Sequence, residues 1–343
     1  MAIYNKSGLV LDAAYDLDGA SLDTAYEVDG TEIPLSGYPI SNIVSYYQQP
    51  TLAAKSELDA LSDDWVNVIF ITDTHTPNDE QHSQAIALYL LANSKIDKLI
   101  FGGDYVNNLW VRSEYTTYFS PILAYEDQSK IYALMGNHET YGTDYEAPYT
   151  SVSEEAKAYI YRDFLQSKSL SGNPQEVYYY VDDSARKIRY LFLNTSDQSN
   201  VQVSSTQRAW ITQSVVLPDT DWSLIVFGHV TLYAMAGVTE MNVTNAEPII
   251  EAIAGTNGNL VGYFCGHQHC DIMETYGGFH HSTYLCDRFE NNPYYSPDVS
   301  YATRTKGTVS EQAVTIISVN TKTRQVVARR IGAEMMATMS YSY

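Results

Sequence analysis

Val66-Asn67-Val68-Ile69-Phe70-Ile71-Thr72-Asp73-Thr74-His75 is a short apolar run that breaks abruptly into an aspartate and a histidine two residues apart. The run is too short for a helix and too uniformly apolar for a half-exposed strand. It reads as a strand buried on both faces. The same pattern recurs four times along the chain. Leu99–Phe101 leads to Gly103-Asp104, and Ile131–Met135 leads to Gly136-Asn137-His138-Glu139. Leu224–Phe227 leads to Gly228-His229, and Leu260–Cys265 leads to Gly266-His267-Gln268-His269. Five of the eight histidines fall in these five segments. Open α/β sheets place their sites at the carboxyl ends of strands. The pattern therefore predicts one sheet whose strand ends converge on a metal centre.

The residue types agree with that expectation. Asp, His and Asn offer hard oxygen and borderline nitrogen donors, a mix suited to Mn, Fe, Zn or Co rather than calcium. Asp73 and His75 can turn toward one ion as the strand unwinds, and Asp104 has two oxygens with which to bridge two ions. Glycines before Asp104, Asn137, His229 and His267 let the backbone approach closely. A lone Gly-His or Asp-x-His is more often structural; five such segments in order, each at a strand end, are not. Outside them, His82 is expected on a solvated helix face, and His280-His281 in a hairpin after Gly277-Gly278.

Composition narrows the partners. Lys plus Arg number 20 against 41 Asp plus Glu, a net charge of −21. Such a surface repels nucleic-acid phosphates and anionic lipid, so neither a basic nucleic-acid face nor membrane docking is expected. The chain has no apolar run near 20 residues and no apolar signal core at Met1–Lys6, which predicts a cytoplasmic or virion-associated location. Cys265, Cys270 and Cys286 lack Cys-x-x-Cys spacing and read as buried free thiols, a zinc site built on them being the lesser alternative. The 30 tyrosines fit β-rich structure.

Along the chain, Asp12–Leu22 and Asp23–Ile33 form an 11-residue repeat, each unit a short strand running to Asp-Gly, a hairpin signal. Its aspartates do not meet EF-hand spacing. Residues 34–50, with Pro34, Gly37, Pro39 and Pro50, read as linker. The division expected is an arm and linker over 1–50 and a main domain over 51–343, with a cap or rim inserted about 140–200. The arm is a candidate oligomer or assembly contact. Strands alternate with helices expected at Leu52–Leu61, His82–Ser94, Arg112–Glu126, Ser153–Gln166, Ser204–Val215 and Glu247–Ile253, and hairpins at 176–194 and 313–331 complete a layered α/β architecture.

In order, the five segments resemble those of the calcineurin-like metallophosphoesterase superfamily: Asp-x-His, Gly-Asp, Gly-Asn-His-Glu, Gly-His and Gly-His-x-His. The resemblance covers about Val66 to His269 and leaves the arm outside it. It implies a four-layer α/β/β/α sandwich and two divalent metal ions. One ion would be held by Asp73, His75, Asp104 and His269, the other by Asp104, Asn137, His229 and His267. His138 would stay free as general acid, with Asp104 and His138 as the catalytic pair. Asn107, Asn137 and His138 would contact substrate. Two ions bring +4 against −3 from Asp73, Asp104 and a bridging hydroxide, and the residual +1 would attract a phosphate ester.

Gly103-Asp104-Tyr105-Val106-Asn107-Asn108 departs from the protein Ser/Thr phosphatase pattern, which carries Asp-Arg where Asn107-Asn108 stand. It also lacks the tyrosine that purple acid phosphatases place at position 107. The first departure points toward phosphodiesters, either small phosphoesters or wall and capsular polymers, and the second away from the purple acid phosphatase branch. The rim is expected to hold Tyr141, Tyr145 and Tyr149. The competing reading is an arm-docked structural or binding component that keeps the fold as a scaffold, since acidic chains with short turn-rich arms resemble virion-associated bacteriophage proteins.

Overall fold

Two sheets, rather than one, receive the strands that end in the aspartate and histidine segments. The computed structural model describes residues 24–26, 32–34, 38–77, 81–107, 110–140, 151–197, 201–235, 242–290, 303–335 and 339–343. Its strands are β1 (Thr24–Tyr26), β2 (Glu32–Pro34), β3 (Trp65–Ile71), β4 (Lys98–Phe101), β5 (Ile131–Ala133), β6 (Ser171–Asn173), β7 (Tyr178–Asp183) and β8 (Ile188–Phe192). They continue as β9 (Ser223–Phe227), β10 (Asn259–Cys265), β11 (Ile272–Tyr276), β12 (Phe279–Thr283), β13 (Ala313–Asn320), β14 (Gln325–Gly332) and β15 (Ser340–Ser342). The helices are α1 (Ser45–Asp59), α2 (His82–Asn93), α3 (Arg112–Leu123), α4 (Ser151–Ile160), α5 (Ser205–Ser214) and α6 (Glu247–Ala254). Among the described residues, no helix is long and apolar enough to cross a membrane.

One sheet has the order β15-β14-β13-β3-β4-β5 and the other β11-β12-β10-β9-β8-β7-β6. β3, β4 and β5 run parallel, as do β8, β9, β10 and β12. Three site segments thus leave the first sheet and two leave the second. The single-sheet expectation fails because short apolar runs do not encode which strands pair. The physical cause lies in burial on both faces. In β8 and β9, Tyr190, Phe192, Ile225 and Phe227 point into the core shared by the sheets, while Leu191, Leu224 and Val226 face α5 and α6. Phe70 and Phe227 stack across the sheets with ring centroids 5.9 Å apart, and Phe192 stacks on Tyr132 at 5.4 Å. Alternation with both faces apolar is what a central layer needs. The four-layer α/β/β/α sandwich is the architecture observed.

Several elements match their sequence expectations to within a few residues. Ser204 caps α5, its hydroxyl accepting from the Gln207 N–H as a helix-opening serine should. β1 pairs antiparallel with β2 across Asp29-Gly30, in keeping with the hairpin signal of the second repeat unit, and the rest of the repeat lies outside the described residues. Other expectations change. Residues 45–50 are helical rather than linker: α1 begins at Ser45 and carries Pro50 inside it. Burial of Ile43, Tyr47 and Leu58 in the core outweighs the one backbone hydrogen bond that proline removes. Within the stretch read as a rim, residues 171–192 contribute β6–β8 to the second sheet. The tail after Gly332, uninformative by sequence, returns as β15, where Tyr341 stacks on His280 at 3.9 Å.

The three remaining histidines are structural. His82 is half-buried rather than solvated, its Nε2 3.0 Å from the Tyr46 hydroxyl. His281, in β12, is buried with Phe279 stacked on it at 4.2 Å, and its Nε2 lies 3.1 Å from the Tyr276 carbonyl. Its Nδ1 has no hydrogen-bond partner among the described residues. Burial accordingly pushes its pKa down from 6.5 to about 4. Below pH 6.5 the unfolded chain takes up this proton and the folded chain does not, so stability falls from pH 6.5 to about pH 4 and levels off beneath. The full loss is on the order of 3 kcal/mol. Chemical denaturation across that range should show a shallower pH slope for His281→Phe than for the wild type; equal slopes would refute this account.

Candidate metal centre

The five segments meet where the two sheets abut, and the backbone there is bent to bring them together. Asp73, His75, Asp104, His267 and His269 all adopt left-handed conformations, with φ of 55°, 46°, 56°, 67° and 51°. Non-glycine residues rarely take up this region, and such strain concentrates at functional sites. Each turn is stapled to its neighbours. The Asp73 and His75 N–H groups donate to the carbonyls of Gly103 and Asp104 at 3.0 Å, and Gly266 N donates to His229 O at 3.1 Å. Two glycines are required by close approach: a Cβ on Gly136 would run into the Asp104 carboxylate, and one on Gly266 into Thr72 and the Asp73 carboxylate.

Asp73 is fully buried and is held by its surroundings in one pose. Its Oδ2 accepts from the Thr72 hydroxyl at 2.7 Å and from the His267 N–H at 2.9 Å. Its Oδ1 faces the histidines, 3.2 Å from His269 Nε2, 3.8 Å from His229 Nε2 and 3.9 Å from His75 Nε2. Asp104 is arranged in the same way. Oδ1 accepts from the His138 N–H at 2.8 Å, leaving Oδ2 3.1 Å from His229 Nε2, 3.7 Å from His138 Nε2 and 3.9 Å from His75 Nε2. Burial opposes the charged form of both carboxyls, but the neighbouring imidazoles outweigh it and hold both below the usual range.

Outer partners orient the rings. His229 Nδ1 lies 2.8 Å from the Gly102 carbonyl, and His269 Nδ1 lies 2.8 Å from Glu290 Oε2. Acceptors at Nδ1 fix a proton there and turn each Nε2 inward toward the carboxylates. Burial opposes the charged rings, but the neighbouring anionic groups outweigh it and hold the pKa of His229 at about 9 and that of His269 well above the usual imidazole range. His75 Nε2 and His269 Nε2 point at one another across 3.1 Å, and Asn137 Oδ1 is 3.0 Å from His229 Nε2. Burial and neighbouring histidines push the pKa of His75 down to about 3 and that of His267 down to about 4, so both rings are neutral and ligand-competent near pH 7. Asp73, His75 and His269 form one group able to hold a cation, and Asp104, His229 and His267 another. Inward lone pairs packed this closely, with two carboxylates, fit a divalent-cation centre.

His138 sits at the mouth, its ring edge-on to His75 at 4.6 Å and its side chain 21% exposed. Asn107 lies beside His75: its backbone carbonyl is 3.3 Å from His75 Nδ1. Asn108, Tyr141, Tyr145 and Tyr149 lie outside the described residues. The three cysteines are buried and free, as expected.

Four contributors escape a reading of the sequence. Thr72 and Glu290 orient the candidate ligands Asp73 and His269, Glu139 ties the third segment to the second, and Arg288 reaches Asn107. Glu139 stands inside a recognised segment, yet nothing in the sequence says that its carboxylate is aimed at backbone. Glu290 and Arg288 follow an ordinary strand, in a stretch with no motif at all.

Residues 66–271 match the sequence model of the calcineurin-like phosphoesterase family. No curated protein matches the chain. Among solved structures, the purple acid phosphatase PPD1 of yellow lupin (Lupinus luteus) is similar over 81% of this chain and 54% of its own, at 12% identity and a TM-score of 0.52. This chain therefore spans about half the length of the lupin protein, and the likeness is one of fold. GAP50, the anchor in the inner membrane complex of Plasmodium, is similar over 81% of this chain and 89% of its own, at 10% identity and a TM-score of 0.49. Phosphopantetheinyl hydrolase of Mycobacterium tuberculosis is similar over 66% of this chain and 91% of its own, at 13% identity and a TM-score of 0.35. With the family match running over more than half of its 343 residues, the chain belongs to the calcineurin-like phosphoesterase family.

Proposed function

We propose that the protein is a phosphoester hydrolase that uses two divalent cations and favours diesters over monoesters. The observation that carries the reading is the buried convergence of Asp73, His75, Asp104, Asn137, His229, His267 and His269, with ring tautomers set from outside. Asp73, His75 and His269 would hold one cation, Asn137, His229 and His267 the other, with Asp104 shared between them. When bound, such a pair supplies Lewis acidity toward phosphoryl oxygens and a water acidic enough to serve as nucleophile near neutral pH.

The chain's own residues do the rest. Asp73 and Asp104 offset most of the cationic charge, leaving a small positive excess that draws in a phosphate ester. His138, at the mouth and 3.7 Å from Asp104 Oδ2, donates its Nε2 proton to the departing alkoxide. Asn107 and Asn137 offer amides to phosphoryl oxygens. The preference for diesters rests on Asn107-Asn108, which add no charge of their own: a diester carries one negative charge where a monoester carries two.

Protein reconstituted with Mn²⁺ should hydrolyse bis(p-nitrophenyl) phosphate faster than p-nitrophenyl phosphate in a colorimetric nitrophenolate-release assay. Inertness toward both esters would sink the enzyme reading, and the reverse order of rates would sink the diester preference alone.

A further inference from the structure

The family match ends at residue 271, yet the site is completed by a loop beyond it. After β12 the chain folds back over the first ligand segment. Asp287 N donates to the Thr72 carbonyl at 2.9 Å and Arg288 N to the Asp73 carbonyl at 3.1 Å. The loop is fixed from beneath. The Asp287 carboxylate accepts from the Ser83 hydroxyl at 2.6 Å. Arg304, buried to 2% exposure, donates to the carbonyls of Cys286 at 3.0 Å, Asp287 at 3.1 Å and Arg288 at 2.5 Å.

This loop brings two side chains to the metal centre, each against a different partner. Glu290 orients His269 through its Nδ1. Arg288, half-buried, donates from Nη1 to Asn107 Oδ1 at 3.2 Å. Asn107 is the residue whose carbonyl contacts His75. The guanidinium therefore stands one side chain away from a candidate ligand. It has five donors in a planar fork, one of them given to Asn107, and its charge also acts on the Glu290 carboxylate. A cation placed beside a site that itself collects cations is electrostatically costly unless an anion comes to both.

We infer that Arg288, paired with Asn107, binds a nonbridging oxygen of the substrate's phosphoryl group. The inference rests on the phosphoester reading and not on the diester preference, which a guanidinium beside Asn107 narrows. The guanidinium comes from a different loop than the Asp-Arg pair of the protein Ser/Thr phosphatases. Asn107 Oδ1 holds it in place while the remaining N–H groups face the substrate. Because its contribution is charge, its removal affects a dianionic monoester more than a monoanionic diester.

The test uses Mn²⁺-loaded full-length protein and Arg288→Met, with inorganic phosphate as the probe in calorimetry and the two nitrophenyl esters in steady-state kinetics. Phosphate should bind about 10- to 100-fold more weakly to Arg288→Met, the loss expected for a charge-assisted contact. KM should rise more for the monoester than for the diester, while metal content and melting temperature stay at wild-type values. Unchanged phosphate affinity would overturn the inference, and so would loss of bound metal, which would make Arg288 a prop for the Asp73 turn. If Arg288→Met fails to fold, Arg288→Gln keeps a polar side chain but neither the charge nor the fork. Several-fold weaker phosphate binding in that variant supports the assignment, and wild-type binding overturns it. Phosphate binding is measured without turnover, so a wild type inert to both esters would sink the enzyme reading without deciding the role of Arg288.

Discussion

Asp104→Asn should lower kcat/KM toward every phosphoester by at least about 1,000-fold and should strip metal from the protein. The carboxylate has its two oxygens assigned to different tasks. Oδ1 accepts the His138 N–H and so ties the third segment to the second, while Oδ2 looks at His229, His138 and His75 together. An amide can preserve the first task in only one of its two orientations and in neither does it keep the charge. Asp104 Oδ2 also lies within 4 Å of a histidine of each cation-binding group, 3.9 Å from His75 and 3.1 Å from His229. In the proposed reaction several kcal/mol of transition-state stabilisation would depend on charge at this point, and each ~1.36 kcal/mol is a tenfold rate. Metal analysis by plasma mass spectrometry and kinetics on both nitrophenyl esters would measure the two effects separately. A variant with full metal content and more than about a hundredth of wild-type activity would show that Asp104 is not shared between two ions.

Glu139→Gln should damage the site from a position that touches neither metal nor substrate. The Glu139 carboxylate is fully buried and is spent entirely on backbone. Oε2 accepts from Asp104 N at 2.9 Å and Gly136 N at 2.8 Å, and Oε1 accepts from Tyr105 N at 2.7 Å. With the Asp104–His138 bond running the other way, the two turns hold each other reciprocally. Burial first, and then the Asp104 charge, push the Glu139 carboxyl above its usual range, while the Gly136 and Tyr105 N–H groups favour the ionised form. Glutamine has the same shape but only one accepting oxygen, so whichever way it turns an NH₂ meets a backbone N–H. A buried donor left unpaired costs about 1–3 kcal/mol. A loss near the top of that range would lower the melting temperature by about 4 °C for a chain of this size. Displacing Asp104 and His138 by even a fraction of an ångström should cost a further ~100-fold in kcat. Calorimetry and kinetics on the metal-loaded variant test both. Wild-type melting and turnover together would show that the clamp is dispensable.

What the amino-acid chain discloses of its fold divides along a physical line. The strands announce themselves because burial on both faces demands uninterrupted apolar runs such as Val66–Ile71 and Leu224–Phe227. Helix α5 announces itself through the Ser204 cap, and the hairpin at β13–β14 through two alternating runs around a turn. Residues 45–50 mislead because the prolines nearby suggest a linker, while the burial of Tyr47 that makes them helical depends on residues far along the chain. The pairing of strands into two sheets is illegible for the same reason: an apolar strand accepts any apolar neighbour.

The candidate donor set is legible in the chain alone, since metal chemistry favours Asp, His or Asn at each position and the strand-end rule restricts where they fall. The glycines follow with it, because Gly136 and Gly266 stand where no Cβ fits. What surrounds that set is settled only by folding. Glu139 becomes a backbone clamp, Glu290 orients His269, and Arg288 stands beside Asn107, 181 positions away in the chain. Such partners are chosen by position in space, and any polar residue on a well-fixed loop can fill the role. They leave no periodicity and need no fixed spacing, so they emerge only when distant segments are packed against one another.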